Sequence, residues 1–426
     1  VLAAGAARFG APPKANLFGT PPEADLFDAL RALPARFDLT PGLPDLTAFP
    51  RAAWLRAERA VLASLPSAAL GYGDPRGAPP LRRAVADWLA RNRGIRADPD
   101  EVLIVSGTAQ TLTLLGRVLR DAGISAVAVE DPGSLGARQH LGEQGLDTPP
   151  VPVDAEGVCV DALRATGAAA VLLTPAHQFP MGVVLGGDRR RRLMRWATES
   201  GGLVIEDDYD AEHRYDRPPV PALRALLPEH VCYAGSVSKL LAPALRIGWV
   251  LAPPPYRDAL IAAKRLADLG NAVLPQLVLA HLMESGDLER QLRLLRTRHR
   301  RRRDAMAAAI ATHLPGATLH GAAAGLHLTI TFEAAAFPDP AFADPAFPGA
   351  AFPGPASASG TVSPDTALAA AALALGVKAH PLSWHAQRPA PPGLVLGYAA
   401  RTPSEIGAAV AALGEAVRGC ARRRSR

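Results

Sequence analysis

The amino-acid sequence predicts an α/β fold in which a mostly parallel sheet lies between layers of helices. Short apolar runs rich in Val, Ile and Leu alternate with amphipathic helical stretches from about residue 46 to residue 285. Such continuous runs are typical of strands that are buried on both faces. The chain is also 426 residues long, which is enough for more than one domain.

The strand candidates of this sheet follow one another along the chain. They are EVLIVS (101–106), AVAVED (126–131), AAVLLTP (169–175), GLVIEDD (202–208), VCYAGS (231–236) and IGWVLAP (247–253). An Arg-rich helix over 288–312, the strand candidates ATLHG and LHLTITF, and a helix near 403–419 come after them. This second set predicts a smaller α+β domain.

The chain is expected to divide into three parts. Residues 1–36 are rich in Ala, Pro and Gly and show little periodicity, which indicates a linker or N-terminal arm. Residues 37–285 then form the large domain and residues 286–426 the small C-terminal domain. Residues 334–365 repeat a Phe-Pro unit, and their density of Pro and Gly predicts a low-complexity surface loop.

Composition and charge limit the class of protein. The net charge of +6 and the pI near 9.5 permit a nucleic-acid partner without requiring one. The three cysteines form neither a disulfide framework nor a CxxC pattern. No apolar run approaches the ~20 residues that a membrane span needs. These features predict a soluble protein of the reducing cytoplasm.

Lysine is rare in this chain, and one lysine follows a strand candidate directly. Lys239 comes after the turn that contains Ser236 and Ser238, and Arg246 follows it. This order suits a ligand with a phosphate and an aldehyde, because Arg and Ser bind phosphate and a lysine amine forms an imine. The alternative is a surface lysine, which is the commonest position of that residue.

Two further strand ends carry polar groups. In SGTAQTL, Gly107 lets the backbone approach a ligand closely, and the helix that begins at Thr108 and Ala109 offers free N–H groups to an anion. The same pattern is also an ordinary helix N-cap. In IEDDYD, Asp207 and Tyr209 belong to a polar cluster whose carboxylates could hold Mg²⁺, cap a helix or pair with a cation.

Together these motifs select one cofactor, pyridoxal 5′-phosphate. A protein that binds it needs a phosphate site, a carboxylate for the pyridine nitrogen, a tyrosine for the phenolic oxygen and a lysine for the aldehyde. The joint occurrence of these groups is far more specific than any one of them. With this cofactor, no metal ion is expected at the carboxylates.

The same segments resemble the class I and II aminotransferases of fold type I. They are most similar to the aminotransferase-like domain of MocR-type regulators, a branch of the GntR family of transcription factors that joins a winged helix to such a domain. The resemblance covers the chain from about residue 37 onward. It rests on segments 37–54, 71–95, 106–112, 174–182, 205–215 and 235–250.

The resemblance implies a role for each matching residue. Lys239 forms the internal aldimine with the cofactor, Asp207 pairs with the pyridinium nitrogen, and Tyr209 reaches the phenolic oxygen. The residues that hold the phosphate are Gly107, Thr108, Ala109, Ser236, Ser238 and Arg246. Tyr72 corresponds to a tyrosine that reaches the phosphate of the neighbouring subunit, which implies a homodimer with its sites at the interface. The GYGDPRG string around Tyr72 could otherwise be only a turn.

Three positions depart from the family pattern. Ser134 stands where many relatives have an aromatic ring that stacks on the cofactor, unless His140 replaces it. Phe179 stands where classical members have an asparagine, as is usual in the MocR branch. Val395 takes the place of the arginine that binds a substrate carboxylate. The nearest substitutes for that arginine are Arg401 and Arg138.

Two functions follow from the resemblance. In the first, the chain is the effector part of a regulator that responds to an amine or amino acid, and DNA is contacted only by a winged helix outside this chain. In the second, the chain is a stand-alone aminotransferase in which Lys239 is the base. The Arg-rich segment 293–306 indicates a solvated helix face rather than a DNA contact.

Overall fold

The structure is a computed structural model that describes residues 26–215, 221–333 and 363–422. Its helices are α1 (Leu26–Ala32), α2 (Arg51–Ser64), α3 (Pro79–Arg93), α4 (Thr108–Asp121), α5 (Leu135–Glu143), α6 (Val160–Thr166), α7 (Gly187–Ser200), α8 (Pro254–Asp268), α9 (Val273–Glu284), α10 (Asp287–His313), α11 (Pro364–Ala374) and α12 (Pro403–Arg422). Its strands are β1 (Phe37–Asp38), β2 (Leu103–Val105), β3 (Val127–Asp131), β4 (Pro150–Asp154), β5 (Gly157–Val158), β6 (Ala170–Leu173), β7 (Leu203–Asp208), β8 (Val231–Ser236), β9 (Gly248–Leu251), β10 (Ala317–His320), β11 (His327–Phe332), β12 (Val377–Lys378), β13 (His380–Pro381) and β14 (Gly393–Gly397).

The large sheet has eight strands in the order β2-β9-β8-β7-β6-β3-β4-β5. Every strand candidate of the large domain lies in it, and the predicted mostly parallel α/β fold is confirmed. Strand β9 runs antiparallel to both of its neighbours, β2 and β8. Only residues 237–247 connect β8 to β9, and a parallel return would need a crossover of a dozen or more residues.

Both faces of the large sheet are buried, which explains the uninterrupted apolar runs. Along β7, Leu203 and Ile205 pack into one cluster with helices α4 and α5. Val204 points to the other face and packs with Leu193 and Trp196 of α7. Because successive side chains alternate between the faces, every position of such a strand must be apolar until the strand reaches its end.

The small domain is an antiparallel sheet in the order β10-β11-β14-β13, packed against α10, α11 and α12. Leu26 and Leu30 of α1 belong to the same apolar cluster, and β1 pairs with β12. The chain therefore contacts the small domain already from residue 26. The proposed divisions at residues 36 and 285 stay predictions, and residues 334–362 of the repetitive segment lie outside the described residues.

The Arg-rich helix α10 has both solvated and buried arginines. Arg293 and Arg300 are exposed, as expected. The exposed Arg298 and the buried Arg302 both pair with the buried Asp45 carboxylate, at 3.1 and 2.9 Å. The helix thus joins the N-terminal part of the large domain to the small one. Across the described ranges, the structure contains no helix that combines the length and apolar character of a membrane span.

Candidate functional site

The carboxyl ends of β2, β7 and β8 lie at one edge of the large sheet. This follows from the strand order, since β7 and β8 are parallel and β2 and β8 both run antiparallel to β9. The polar residues that the sequence places after these strands therefore meet in one cleft. Lys239 lies in the turn after β8, and Asp207 lies near the end of β7.

The Lys239 amine has a neighbour that the sequence did not predict. Its Nζ atom donates a hydrogen bond to the carbonyl oxygen of Gly42 at 2.5 Å. Gly42 has φ of +84°, and a Cβ there would stand 3.1 Å from Nζ. Burial lowers the pKa of Lys239, and the nearby carboxylates of Asp210 and Asp207 act in the opposite direction.

The other described lysines are already paired. Lys264 donates to both oxygens of Asp268 at 2.6 and 2.5 Å. Lys378 donates to a backbone carbonyl and lies 3.9 Å from the Asp38 carboxylate. Within the described ranges, Lys239 is thus the lysine that forms no ion pair within 4 Å, so its amine can react with a ligand.

Gly107, Ser238 and Arg246 lie close together at the start of α4, and we call this group the cradle. Gly107 precedes α4 with φ of +95°, and α4 has no side-chain N-cap. A Cβ at Gly107 would lie 3.7 Å from Nη1 of Arg246 and 4.0 Å from Oγ of Ser238. No hydrogen-bond or ion-pair partner of the Arg246 guanidinium occurs among the residues that the structure describes. The donors of this cradle can therefore be used by a ligand.

The backbone of Arg246 is held in an unusual conformation. Its φ of 51° and ψ of 47° lie in the left-handed region, which is uncommon for a residue other than glycine. Asn271 stabilises it by donating from Nδ2 to the Arg246 carbonyl oxygen at 3.1 Å and to Oγ of Ser106 at 3.0 Å. Sequence reasoning missed Asn271, because nothing in a lone asparagine 25 residues downstream points to this contact.

The remaining phosphate candidates are sequence neighbours of the cradle residues. Thr108 and Ala109 lie in the first turn of α4. Ser236 ends β8, and its Oγ accepts a weak hydrogen bond from the backbone N–H of Ser238 at 3.4 Å.

Asp207 is a half-buried carboxylate that has one described hydrogen-bond partner. Oγ1 of Thr108 donates to it at 3.2 Å. Burial raises the pKa of Asp207 to about 7, with a further contribution from the carboxylates of Asp208 and Asp210. A cationic ligand atom beside this carboxylate would reverse the shift and favour its ionised form.

Tyr209 lies against two residues to which the sequence assigned no role. Its hydroxyl donates to the backbone carbonyl of His177 at 3.1 Å, and Nδ1 of His177 lies 3.1 Å from the same hydroxyl. Nδ1 also lies 2.9 Å from Oδ2 of Asp210. The segments TPAHQFPMG and IEDDYD contained both residues, but their meeting depends on the fold.

The family model for aminotransferase class I and II matches residues 39–343. The chain belongs to this family. The predicted cofactor, pyridoxal 5′-phosphate, and the predicted fold type are thereby confirmed.

Three proteins illustrate the relationship. The probable rhizopine catabolism regulatory protein MocR of Rhizobium meliloti is 31% identical over 72% of this chain and 62% of its own length. The 2-aminoadipate transaminase of Thermus thermophilus is 35% identical over 64% of this chain and 69% of its own. The Pyrococcus horikoshii kynurenine aminotransferase, solved with PMP, superposes with a TM-score of 0.77 at 27% identity over 93% of each chain. The expected resemblance to both MocR-type regulators and aminotransferases is confirmed, although this chain spans less than two thirds of the regulator's length.

The site of this aminotransferase-family chain fits the cofactor. The uncapped start of α4 and the unpaired Arg246 guanidinium suit a phosphate. The carboxylate of Asp207 suits a protonated pyridine nitrogen, and the Lys239 amine suits an aldehyde. These groups face one cleft and have donor or acceptor capacity that the described protein atoms leave unused.

The structure gives Ser134 a local role in place of a stacking ring. Its Oγ accepts from the Ala137 N–H at 3.2 Å and so caps α5. His140 lies further along the same helix. The rings of Phe179 and His177 both have centroids 6.2 Å from that of Tyr209, with Phe179 in an edge-on arrangement.

The arginines considered as substitutes for a carboxylate clamp already have backbone partners. Val395 is fully buried in the middle of β14. Arg401 donates from Nε to the Asp38 carbonyl oxygen at 3.2 Å. Arg138 donates from Nη2 to the Trp384 carbonyl oxygen at 2.9 Å. Neither Arg401 nor Arg138 therefore has a guanidinium without protein partners that could replace the arginine missing at position 395.

Tyr72 lies apart from the other predicted site residues. Its side chain is 96% exposed, which is unusual for a tyrosine. Leu55, Leu62 and Leu70 nearby in the sequence are also at least half exposed. Within this chain, Tyr72 does not join the cluster around Lys239.

Proposed function

We propose that this chain binds pyridoxal 5′-phosphate at Lys239 and acts as the aminotransferase-like effector part of a MocR-type regulator. The observation that carries the proposal is that three groups meet at one sheet edge: the Lys239 amine, whose partner is a backbone carbonyl, the Arg246 guanidinium, which has no partner among the described residues, and the start of α4, which has no side-chain cap. Cofactor binding needs all of these groups in one cleft. The similarity to a MocR regulator over most of this chain supports the regulatory role.

Each site residue has a part in this proposal. Lys239 is the attachment point of the cofactor, Asp207 holds its ring nitrogen, and Tyr209 reaches its phenolic oxygen. The phosphate is bound by Gly107, Thr108, Ala109, Ser236, Ser238 and Arg246. All of these residues lie within 37–285, which is the domain that we propose to hold the cofactor.

The chain's own groups would control where protons reside. The bound cofactor supplies a ring that accepts electrons from a carbon next to the ligand's amino nitrogen. Burial lowers the pKa of Lys239, so its Nζ gives up a proton more readily than an exposed lysine does and can act as a base. Asp207 keeps the ring nitrogen protonated, since its ionised form is stabilised by that positive charge.

A stand-alone aminotransferase is the alternative. The intact set of Lys239, Asp207, Tyr209 and Arg246 favours it, because a protein that only senses a ligand needs no proton carrier. The buried Val395 counts against efficient turnover of α-amino acids, because a carboxylate would have no dedicated guanidinium at that position.

A homodimer is the proposed assembly. Tyr72 and the leucines of the α2 region are large apolar side chains that are at least half exposed to water. A second copy of the chain would bury them. In that assembly the partner's tyrosine would reach the phosphate. DNA would be contacted through a winged helix that is not part of this chain.

Absorbance spectroscopy tests the proposal. The protein is loaded with pyridoxal 5′-phosphate, and its visible band is followed after addition of a panel of amino acids and amines. For a regulator, we expect a spectral shift that ends without release of a keto acid or aldehyde. Product release with conversion to the pyridoxamine form would establish the aminotransferase instead, and the absence of a visible band would refute both.

A further inference from the structure

His177 and Asp210 form a buried pair beside Tyr209 that has no part in the proposed function as stated so far. The His177 side chain is 0% exposed and that of Asp210 is 1% exposed. The Nδ1 atom of His177 lies 2.9 Å from Asp210 Oδ2 and 3.1 Å from the Tyr209 hydroxyl. The backbone carbonyl oxygen of His177 accepts a hydrogen bond from the Tyr209 hydroxyl. One histidine therefore contacts the phenol through both its ring and its backbone.

Two glycines from distant parts of the chain leave room for this imidazole. A Cβ at Gly325 would stand 2.0 Å from Cε1 of His177 and 2.8 Å from Oδ2 of Asp210. A Cβ at Gly182 would stand 3.0 Å from Nε2. Both glycines have positive φ, at 82° and 70°. Any other residue at Gly325 or Gly182 would thus be strained and would crowd the His177 ring, so the imidazole fits only because both positions are glycine.

The neighbours of the His177 ring determine which of its nitrogens carries the proton. An ionised carboxylate can only accept a hydrogen bond, so beside such a carboxylate Nδ1 of His177 carries the proton and donates a hydrogen bond to Asp210. The same N–H also faces the Tyr209 oxygen, whose own proton points to the His177 carbonyl. Burial and then the Asp210 charge raise the pKa of Tyr209 well above its ordinary value. Tyr209 therefore stays a neutral hydrogen-bond donor.

A metal ion is a weaker explanation of this cluster. His177, Asp210 and His327 offer ligand atoms within 4.8 Å of one another. However, Nδ1 of His177 is used by Asp210, and Nε2 of His327 lies 3.2 Å from the Pro180 carbonyl oxygen. The remaining Nε2 of His177 faces the backbone at Gly182, where even a Cβ would be crowded.

We propose that His177 and Asp210 are positioning residues that fix the Tyr209 hydroxyl in the site of Lys239, where the charge of Asp210 also acts on the lysine nitrogen. The inference rests on the proposed function, because it concerns the residue to which the cofactor is attached. After burial, Asp210 is the largest influence on the pKa of Lys239, ahead of Asp207. Its negative charge stabilises a proton on that nitrogen.

The other ionisable groups around Asp210 and Lys239 limit what a pH titration can report. They include Asp207, Asp208, Glu130, Glu212, His213, His327, Tyr215 and Tyr398, the last of which has a pKa raised well above its ordinary value by burial. Burial lowers the pKa of His213 to about 4 and that of His327 to about 3, so both are neutral above pH 6. Tyr215 has a raised pKa and stays neutral as well. The nitrogen of Lys239 and the carboxyl groups of Asp207, Glu130 and Glu212 remain as titrating candidates.

The test compares Asp210→Asn with the wild type in two states. In the loaded protein, the midpoint of the pH titration of the visible band is expected to fall by about one unit, because the wild-type carboxylate favours a proton on the nitrogen. In the empty protein, the pH dependence of Lys239 acetylation, followed by peptide mass spectrometry, is expected to shift in the same direction. Asp365→Asn removes an equally buried carboxylate that binds Ser383 in the small domain, and it should leave both midpoints unchanged.

Variants of His177 distinguish a positioning role of its hydrogen bond from a general disturbance of the local structure. His177→Asn keeps an N–H donor near the Nδ1 position and should stay close to the wild-type midpoint. His177→Ala removes the donor and should move towards the Asp210→Asn midpoint. If both variants shift equally, the specific hydrogen bond has no role and the inference is overturned.

The two states distinguish the failure of the inference from that of the proposed function. Equal midpoints of wild type and Asp210→Asn in both states overturn the inference, while a visible band in the wild type upholds the function. A wild type without a visible band refutes the function. The acetylation profiles of the empty protein then decide the inference by themselves.

Discussion

The charged side chains on the two faces of strand β7 differ in how completely protein groups pair with them. On the core side, Asp208 pairs with Arg93 at 2.5 Å and accepts from the Tyr233 hydroxyl at 2.5 Å, and both charged side chains are at most 1% exposed. On the cleft side, one residue earlier, Asp207 has a single described hydrogen bond, from Thr108. The Lys239 amine on that side has only a carbonyl partner.

The difference shows which charges stabilise the fold and which are available to a ligand. A buried charge without a partner is costly, so the core keeps Asp208 and Arg93 compensated. On the cleft side, Asp207 has no ion-pair partner among the described residues, and burial raises its pKa to about 7. Groups with such shifts in a cleft mark a binding site, because a ligand can supply the missing partner.

The largest expected effect is on the cleft side, at Lys239. Lys239→Ala should abolish the visible band of the loaded protein, because no other described lysine faces the cleft. Lys264→Ala and Lys378→Ala should keep the band, since these amines already bind Asp268 and a backbone carbonyl. Absorbance after removal of free cofactor measures this. A band that survives in Lys239→Ala would show that the attachment site has been assigned wrongly.

The next effect is on the core side, at Arg93. Arg93→Leu leaves Asp208 buried without its cation and should lower the free energy of unfolding by about 3–5 kcal/mol. Urea denaturation measures the loss. The matched variant on the cleft side, Arg246→Leu, should leave the unfolding free energy nearly unchanged and weaken cofactor binding instead. The comparison fails if Arg246→Leu destabilises the empty protein as strongly as Arg93→Leu.

Asp207→Asn should separate binding from stability. Loss of a charged partner for the ring nitrogen is expected to weaken cofactor binding by about 1.5–3 kcal/mol, which titration of the visible band can measure. Asp208→Asn is the matched core variant, and it should affect the unfolding free energy more than binding. Equal binding by wild type and Asp207→Asn would remove Asp207 from the site.

The same variant predicts a change in the pH dependence of stability. The folded-state pKa of Asp207, about 7, lies above its ordinary value of 3.8. The protonated carboxyl therefore contributes stability that is complete below pH 3.8 and is lost as the pH rises to about 7. Relative to the wild type, empty Asp207→Asn should gain stability across this window and show a constant difference above it. A constant difference at every pH would contradict the raised pKa.

The smallest effect is expected at Tyr72. Tyr72→Phe removes one hydroxyl from an exposed side chain, so the stability of the single chain should not change. If the partner's Tyr72 reaches the phosphate, cofactor binding should weaken by about 0.5–1.5 kcal/mol, the contribution of one hydrogen bond. Binding that is unchanged in a protein shown by light scattering to be dimeric would exclude this contact.

Much of the fold could be predicted because the strands are buried on both faces. A run such as VCYAGS must be apolar until it ends, so the strand and the polar residues beyond it are visible in the sequence. The antiparallel direction of β9 was less visible, since it depends on the length of the connection from β8. The contacts of Arg298 and Arg302 with Asp45 were hidden because the partners are about 250 residues apart.

The sequence by itself determined the α/β fold, the order of the polar strand ends and the cofactor that these groups suit. Those features are local, because a strand, its last residue and the following helix start are adjacent in the chain. Only the tertiary structure decided that His177 and Asp210 meet at Tyr209, that Asn271 holds the backbone of Arg246, and that Gly42 faces the Lys239 amine. Each of these contacts joins segments distant in sequence, and packing alone brings them within hydrogen-bond distance.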